Sequence, residues 1–112
     1  MSNQPSIACD PNAINKKERT EHNRNAEYVL ASVTRIQELN DGYALQLPLS
    51  TDMIRNAAAF IALERLCCPF FHFSLEVEPN QGGLWMQLIG DEKVKQYLAD
   101  NLIPKIQTDN TG

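Results

Sequence analysis

Alternating apolar and polar positions divide the middle of the chain into four short predicted strands. Val33 to Leu39 and Tyr43 to Leu49 alternate on either side of an Asn-Asp-Gly tripeptide, which is typical of hairpin turns because these residues tolerate positive φ. Phe71 to Val77 and Leu84 to Ile89 alternate around a second turn that contains proline and glycine. The pattern therefore predicts two β-hairpins.

Three helices are predicted from the longer apolar period and from the capping residues that flank it. They run from about Asn15 to Ala31, from Ser50 or Thr51 to Cys67 or Cys68, and from Asp91 to about Leu102. The middle helix ends there because Pro69 disfavours a helical conformation in the residue before it. The order of elements predicts an α+β two-layer sandwich, in which two hairpin-helix units form a four-stranded antiparallel sheet and an N-terminal helix is added.

The ends of the chain are polar and contain prolines. We expect a flexible lead-in over residues 1–13, a single α+β domain over residues 14–104 and a flexible tail over residues 105–112. A chain of 112 residues is long enough for one such domain to have a core without metal or disulfide crosslinks.

Charge and cysteine content narrow the possible partners and compartment. A formal net charge of -4 argues against nucleic acid and anionic membranes, which bind clustered positive charge. No stretch approaches the roughly 20 apolar residues of a membrane span, and no secretory signal is visible at the N-terminus, so we expect a cytoplasmic protein. Three cysteines are an odd number, which argues against a disulfide framework. Cys9, in the lead-in, is more often an incidental exposed thiol than a functional one.

The middle helix carries an acidic residue where apolar residues are expected. At about 100° per residue, Glu64 falls in the centre of the apolar arc, with Cys67 and Cys68 on either side of it. Glu64 precedes the two cysteines by three and four residues, so the three side chains can meet over one helical turn. A carboxylate in that position is costly unless it is paired, protonated or bound to a metal.

These residue types indicate a site for a soft metal ion. Neighbouring thiolates suit Zn(II), Cu(I), Hg(II) and As(III), and Glu64 can complete the coordination or tune thiol protonation. His72, just beyond Pro69, can add a nitrogen ligand, and Cys9 or His22 can approach from the N-terminal segment. The predicted metal ligands are therefore Glu64, Cys67, Cys68 and His72. Adjacent cysteines lack the C-x-x-C spacing of zinc knuckles and of thioredoxin-like redox sites.

Three other interpretations stay open. The cysteines can simply fill core space, with Glu64 paired to a lysine or arginine across the layer or capping the N-terminus of a neighbouring helix. The protein can be a small thiol-dependent enzyme with a cysteine nucleophile and Glu64 or His72 as proton carrier, although a helix C-terminus disfavours thiolate. It can also be a structural or interaction domain, with homodimer formation through an open sheet edge.

Part of the chain resembles a known family. The strings DGYALQLP, FIALERLCCPFFHFSLEVEP and GLWMQLIGDEKVKQYL resemble those of small uncharacterised bacterial proteins with an E-R-x-C-C-P-F-x-x-F signature. Related stretches are loosely associated with heavy-metal-responsive regulators, and the resemblance covers about Asp41 to Leu98. It implies that the motif positions are Glu64, Arg65, Cys67, Cys68, Pro69, Phe70 and Phe73.

Two weaker likenesses accompany this one. A cysteine pair with a carboxylate is similar in kind to the residues of organomercurial lyases, although this chain is about half as long as such an enzyme. The repeated hairpin-helix units look like the effector-binding domains of gyrase-inhibitor-like proteins, a likeness of fold that carries no ligand. The leading hypothesis is a small cytoplasmic module that binds or senses a soft metal ion or an electrophile.

Overall fold

The computed structural model describes residues 9–110, with side chains through Ile106. Its helices and strands alternate as the sequence pattern predicts. In chain order they are a short 3-10 helix at Pro11–Ala13, α1 at Lys16–Ala31, β1 at Arg35–Leu39, β2 at Gly42–Leu47, α2 at Thr51–Cys67, β3 at His72–Glu78, a second 3-10 turn at Pro79–Gln81, β4 at Gly83–Ile89, α3 at Glu92–Asn101 and α4 at Ile103–Asn110. The α+β prediction is confirmed.

The four strands form one antiparallel sheet in the order β1-β2-β4-β3. Each hairpin pairs its own two strands, and β2 joins β4 at the centre, where Leu45 lies opposite Met86. On the other side of β4, Met86 lies opposite Leu75 of β3. Because side chains alternate along a strand, this register puts Leu45, Met86 and Leu75 on the same face of the sheet.

That apolar face and the helices share one core. Leu45, Leu84 and Met86 of the sheet are fully buried, as are Ala57 of α2 and Leu98 of α3. The same cluster includes residues of α1 and α4, so all four helices of the described chain contribute to one hydrophobic layer against the sheet. The two-layer arrangement follows from this shared core.

The predicted helix N-termini are confirmed by their caps. The side-chain oxygen of Asn15 accepts a hydrogen bond from the Glu18 N–H at 2.9 Å. Ser50 Oγ caps α2 by accepting from the Met53 N–H at 3.0 Å, and Asp91 Oδ1 caps α3 in the same way. The ends of the elements therefore follow local residue chemistry.

The packed structure extends beyond both predicted boundaries. Helix α4 occupies much of the predicted tail, and its Ile103 and Ile106 are buried in the core. Pro104 does not prevent helix α4 from forming, because it is the second residue of that helix and proline is compatible with the first turn. Residues 1–8 of the predicted lead-in and residues 111–112 of the predicted tail lie outside the described residues. Residues 9–13 of the lead-in are held against the domain by the contacts described below.

Candidate functional site

Helix α2 brings Glu64 and Cys67 to its core-facing side near its C-terminus. The buried residues of this helix are Met53, Ala57, Phe60 and Cys67, so Glu64 lies on the same stripe. Its side chain keeps 19% of its exposure. The position predicted from the apolar arc is confirmed, and the carboxylate needs a partner there.

Cys68 ends the helix and turns inward. Its backbone N–H donates to the Glu64 carbonyl oxygen at 2.7 Å, and its φ and ψ of -124° and 75° are no longer helical. Pro69 accounts for that conformation, since it disfavours a helical residue before it. Cys68 is fully buried, next to Cys67, which is 9% exposed.

The N-terminal segment packs against this helix end. The Asp10 N–H donates to the Cys67 carbonyl oxygen at 2.8 Å, which satisfies a carbonyl that the helix leaves free. Ile14, 2% exposed, shares a small apolar cluster with Cys67 and Cys68. The segment from Asp10 to Ile14 is therefore held against the site by a backbone hydrogen bond and by apolar packing.

This packing gathers all three cysteines. Cys9 is joined to Cys68 by a disulfide, and the three Sγ atoms lie within 4.8 Å of one another. Cys67 is the free thiol, and its Sγ is 3.8 Å from that of Cys68. Two expectations are thus wrong: the odd cysteine number does not exclude a disulfide, and Cys9 is not an incidental thiol. The physical reason is the anchored segment, which the spacing of cysteines along the chain does not reveal.

Glu64 is shared between the cysteines and a histidine of α1. Its Oε1 lies 2.7 Å from His22 Nε2, and its Oε2 lies 3.3 Å from Cys68 Sγ. His22 is 5% exposed and stacks on Phe60 with ring centroids 5.7 Å apart. Glu64 therefore pairs with a histidine rather than with the lysine or arginine of the core-filler interpretation.

The second ring nitrogen of His22 has no such contact. Nδ1 is buried, and no partner for it is found among the described residues. A buried polar atom without a partner is costly, so the 2.7 Å contact of Nε2 with Glu64 is what stabilises the ring in this position.

The remaining thiol is held in its protonated form. Burial raises the pKa of Cys67, and the negative charges of Glu64 and Asp10 raise it further, while a hydrogen bond from the Asp10 backbone acts in the opposite direction. Cys67 is thus a poor nucleophile at neutral pH unless a cation approaches.

Helix α3 closes the other side of the site. The Tyr97 hydroxyl donates to Cys9 Sγ at 3.2 Å. The Tyr97 ring makes an edge contact with Phe70, at 5.5 Å between centroids, and a tilted contact with Phe71. Phe70 and Phe71, just after Pro69, therefore pack around the sulfur atoms as part of the core.

A cavity of about 300 Å³ lies beside the cysteines, between α1, the end of α2 and α3. It is lined by polar groups from several elements. The chemically active ones are Cys9, Arg19, His22, Glu64, Cys67, Tyr97 and Lys105. The site is thus a pocket with thiol, carboxylate, imidazole, guanidinium and ammonium groups around one space.

The four predicted ligands are not all brought together. Glu64, Cys67 and Cys68 meet, but His72 is exposed at the start of β3 and lies opposite Ile89 in the sheet. It is outside the group of three sulfur ligands that the described chain forms. His22, not His72, is the histidine in contact with Glu64.

Sequence reasoning gave too little weight to Cys9 and His22 and missed Tyr97 altogether. One signal was available for His22, which lies on the apolar face of α1 together with Ala26 and Val29 and is buried as that spacing implies. For Cys9 and Tyr97 no local pattern exists, because their contact joins residues 88 positions apart.

Comparison with known proteins adds no family. The chain matches no protein-family model, no curated protein and no solved structure. Within residues 9–110, no helix has the length and apolar character needed to cross a bilayer.

Proposed function

We propose that the reduced protein binds a soft metal ion through the thiolates of Cys9, Cys67 and Cys68. The observation that carries this proposal is the grouping of three sulfur atoms within 4.8 Å, drawn from two distant parts of the chain. Sulfur donors select soft or borderline cations, so Zn(II), Cu(I), Hg(II) and As(III) are the ions to consider.

The spacing of the donor atoms supports one shared ion. Two thiolates at about 2.3 Å from a tetrahedral metal are about 3.8 Å apart, and a thiolate and a carboxylate oxygen are about 3.5 Å apart. Cys67 and Cys68 have their sulfur atoms 3.8 Å apart, and Glu64 Oε2 is 3.3 Å from Cys68. Glu64 is therefore suited to be the fourth ligand, held by His22 as an outer partner.

The disulfide defines the state that does not bind. With Cys9 and Cys68 oxidised, Cys67 and Glu64 are what remains of the four proposed ligands, which is too few for a tight site. A metal-binding role thus requires a reducing compartment, in agreement with the cytoplasmic location expected from the sequence. Sensing of a metal, homodimer formation and the likeness to metal-responsive regulators stay predictions.

The test is a metal titration of the reduced chain. Protein reduced with a phosphine under nitrogen is titrated with each of the four ions and followed by native mass spectrometry. We expect one ion per chain for at least one of them. Because losing even an outer partner of a metal ligand weakens binding about tenfold or more, serine at Cys9, Cys67 or Cys68 should each weaken it at least as much.

Two controls make the test specific. The disulfide form has the same covalent composition apart from two hydrogens, and we expect it to bind no ion tightly. His72→Ala removes the predicted ligand that lies outside the sulfur cluster, and it should leave affinity unchanged. Affinity that survives Cys9→Ser unchanged, or is lost in His72→Ala, would sink the three-sulfur site.

A further inference from the structure

The two sulfur atoms of the disulfide differ in their access to the cavity. Cys9 is partly exposed and lines it, whereas Cys68 is fully buried and is not part of its wall. Thiol–disulfide exchange begins with attack by an incoming thiolate on an accessible sulfur atom. Only the Cys9 end of this bond is therefore open to a reagent in the cavity.

The cavity wall favours a negatively charged reagent. Arg19 and Lys105 both line it, whereas the carboxylate there, that of Glu64, is already paired with His22. The Arg19 side chain is half-buried, and its Nε has no partner among the residues described. A guanidinium with an unused buried donor is suited to bind a carboxylate.

We propose that the cavity binds a low-molecular-weight thiol that carries a carboxylate, and that this thiol reduces the Cys9–Cys68 disulfide by attack on Cys9. A cavity of about 300 Å³ is at the small end of ligand sites, which suits a compound of amino-acid to tripeptide size. The carboxylate pairs with Arg19 and Lys105, and the sulfur is directed to Cys9.

The exchange balances without any further reagent. The incoming thiol forms a sulfur–sulfur bond with Cys9, the bond between Cys9 and Cys68 breaks, and the proton lost by the incoming thiol ends on the Cys68 sulfur. The new Cys68 thiol has an acceptor in place, because Glu64 Oε2 lies 3.3 Å from that sulfur. A second molecule of the thiol then attacks the mixed disulfide, which leaves Cys9 reduced and releases the small molecule as its disulfide.

This inference extends the proposed function, since reduction provides the three thiols of the metal site, but the exchange step does not require metal binding. The disulfide form of such a small molecule is the oxidant that runs the same steps in reverse. Through this cavity, the ratio of the small-molecule thiol to its disulfide then sets the oxidation state of Cys9 and Cys68.

The first experiment compares three thiols on the oxidised wild-type protein. Glutathione is anionic, 2-mercaptoethanol is neutral and cysteamine is cationic. Each reduction rate is divided by the rate of the same thiol on the same protein unfolded in urea, which cancels intrinsic reactivity. We expect the ratio for glutathione to exceed that for cysteamine by about tenfold or more, as charge-assisted hydrogen bonds imply.

A matched pair of variants assigns the effect to the cavity. Arg19→Ala/Lys105→Ala should lower the glutathione ratio by about tenfold and leave that of 2-mercaptoethanol unchanged. Lys16→Ala/Lys93→Ala removes the same charge from exposed residues outside the cavity wall, and it should change neither. Equal ratios for the three thiols on the wild-type protein, or equal effects of the two double variants, would overturn the proposal.

A second experiment identifies the sulfur that is attacked. The variants Cys67→Ser/Cys68→Ser and Cys9→Ser/Cys67→Ser each retain one cysteine, Cys9 or Cys68, and are exposed to glutathione disulfide. We expect the Cys9 variant to form the mixed disulfide at least about tenfold faster, because only its sulfur is accessible. Faster reaction at Cys68 would contradict the proposal, whatever the metal titration gives. A protein that shows the glutathione preference but binds no metal would refute the proposed function alone.

Discussion

At the scale of single residues, the site depends on a few side chains with conflicting needs. Glu64 places a carboxylate on a core-facing stripe, and His22 stabilises it there through a 2.7 Å contact. The same carboxylate disfavours the thiolate of Cys67 and so raises the pKa of that thiol, in addition to the effect of burial. The Cys67 thiol therefore stays protonated at neutral pH when no cation is present.

The reactivity of Cys67 should show this directly. In the oxidised protein it is the free thiol, and iodoacetamide should label it at pH 7.5 at least about tenfold more slowly than in guanidinium, since burial and nearby charge raise its pKa. The native rate should keep rising at pH values where the unfolded rate has levelled off. Mass spectrometry of timed samples measures both rates.

The sign of the linked stability follows. A raised pKa of Cys67 favours the protonated folded state, so its stabilising contribution is present below the ordinary thiol pKa and is lost as pH rises through the higher folded value. A native labelling rate equal to the unfolded rate at pH 7.5 would contradict both the burial and the raised pKa.

Glu64→Gln isolates the electrostatic part of this effect. Burial, the larger cause, remains, but the repulsion from the carboxylate is gone, so the pKa of Cys67 falls and its labelling at pH 7.5 should become a few-fold faster. The amide oxygen can still accept from His22, which preserves packing. Glu27→Gln, an exposed change of the same charge on α1, is the control and should have no effect.

Predictions about single residues were confirmed where they depend only on spacing within one helix. The position of Glu64 over Cys67 and Cys68 follows from one helix, and it is confirmed. His22 lies 42 residues from Glu64, and its selection over a lysine or arginine depends on how α1 packs against α2. That packing is a tertiary property, which no spacing within either helix specifies.

At the scale of elements, the site is the junction of the N-terminal segment with the end of α2. The Asp10 N–H bonds to the Cys67 carbonyl oxygen, and Ile14 fills the space beside Cys67 and Cys68. Pro11, in the first turn of the short 3-10 helix, restricts the backbone between Asp10 and Ile14. The segment thus holds Cys9 against the domain by noncovalent contacts as well as by the disulfide.

Ile14→Ala should weaken this junction. Removing a fully buried isoleucine side chain leaves a cavity and costs about 2–4 kcal/mol of unfolding free energy, which urea denaturation of the oxidised protein measures. Leu66→Ala, at a residue 40% exposed on α2, is the matched control and should cost well under that. Equal costs for the two changes would show that the N-terminal segment is not packed as described.

The elements themselves were predicted well because their signals are short in range. Caps at Asn15, Ser50 and Asp91 and the Asn-Asp-Gly turn mark boundaries within a few residues of the observed ones. Helix α4 was missed because Pro104 looks like a stop, although it lies within the first turn of the helix. The burial of Ile106 depends on the core formed by the other helices.

At the scale of the whole molecule, the disulfide joins residues 59 apart and encloses α1, the first hairpin and α2. Such a crosslink restricts the unfolded chain and so stabilises the folded one. Its partners could not be predicted from sequence, because only the folded sheet and helices bring Cys9 beside Cys68. Oxidation state and global stability are therefore linked in this protein.

Reduction should lower the unfolding free energy by about 2–4 kcal/mol, the range typical of a disulfide, and the length of this loop favours the upper end. Urea denaturation with and without a phosphine measures the difference. The Cys9→Ser/Cys68→Ser variant is the control, and the reductant should not change its midpoint. An ion that binds only the folded, reduced chain should restore part of the loss by mass action. A wild-type midpoint that is insensitive to the reductant would contradict the disulfide.

The most direct test of the central claim, that three sulfur atoms form one metal site, is X-ray absorption at the zinc edge of the reduced, zinc-loaded protein. The account predicts three sulfur neighbours at about 2.3 Å and one nitrogen or oxygen at about 2.0–2.1 Å, with one sulfur fewer in Cys9→Ser. A first shell of mostly nitrogen and oxygen, or a sulfur number unchanged in Cys9→Ser, would contradict it.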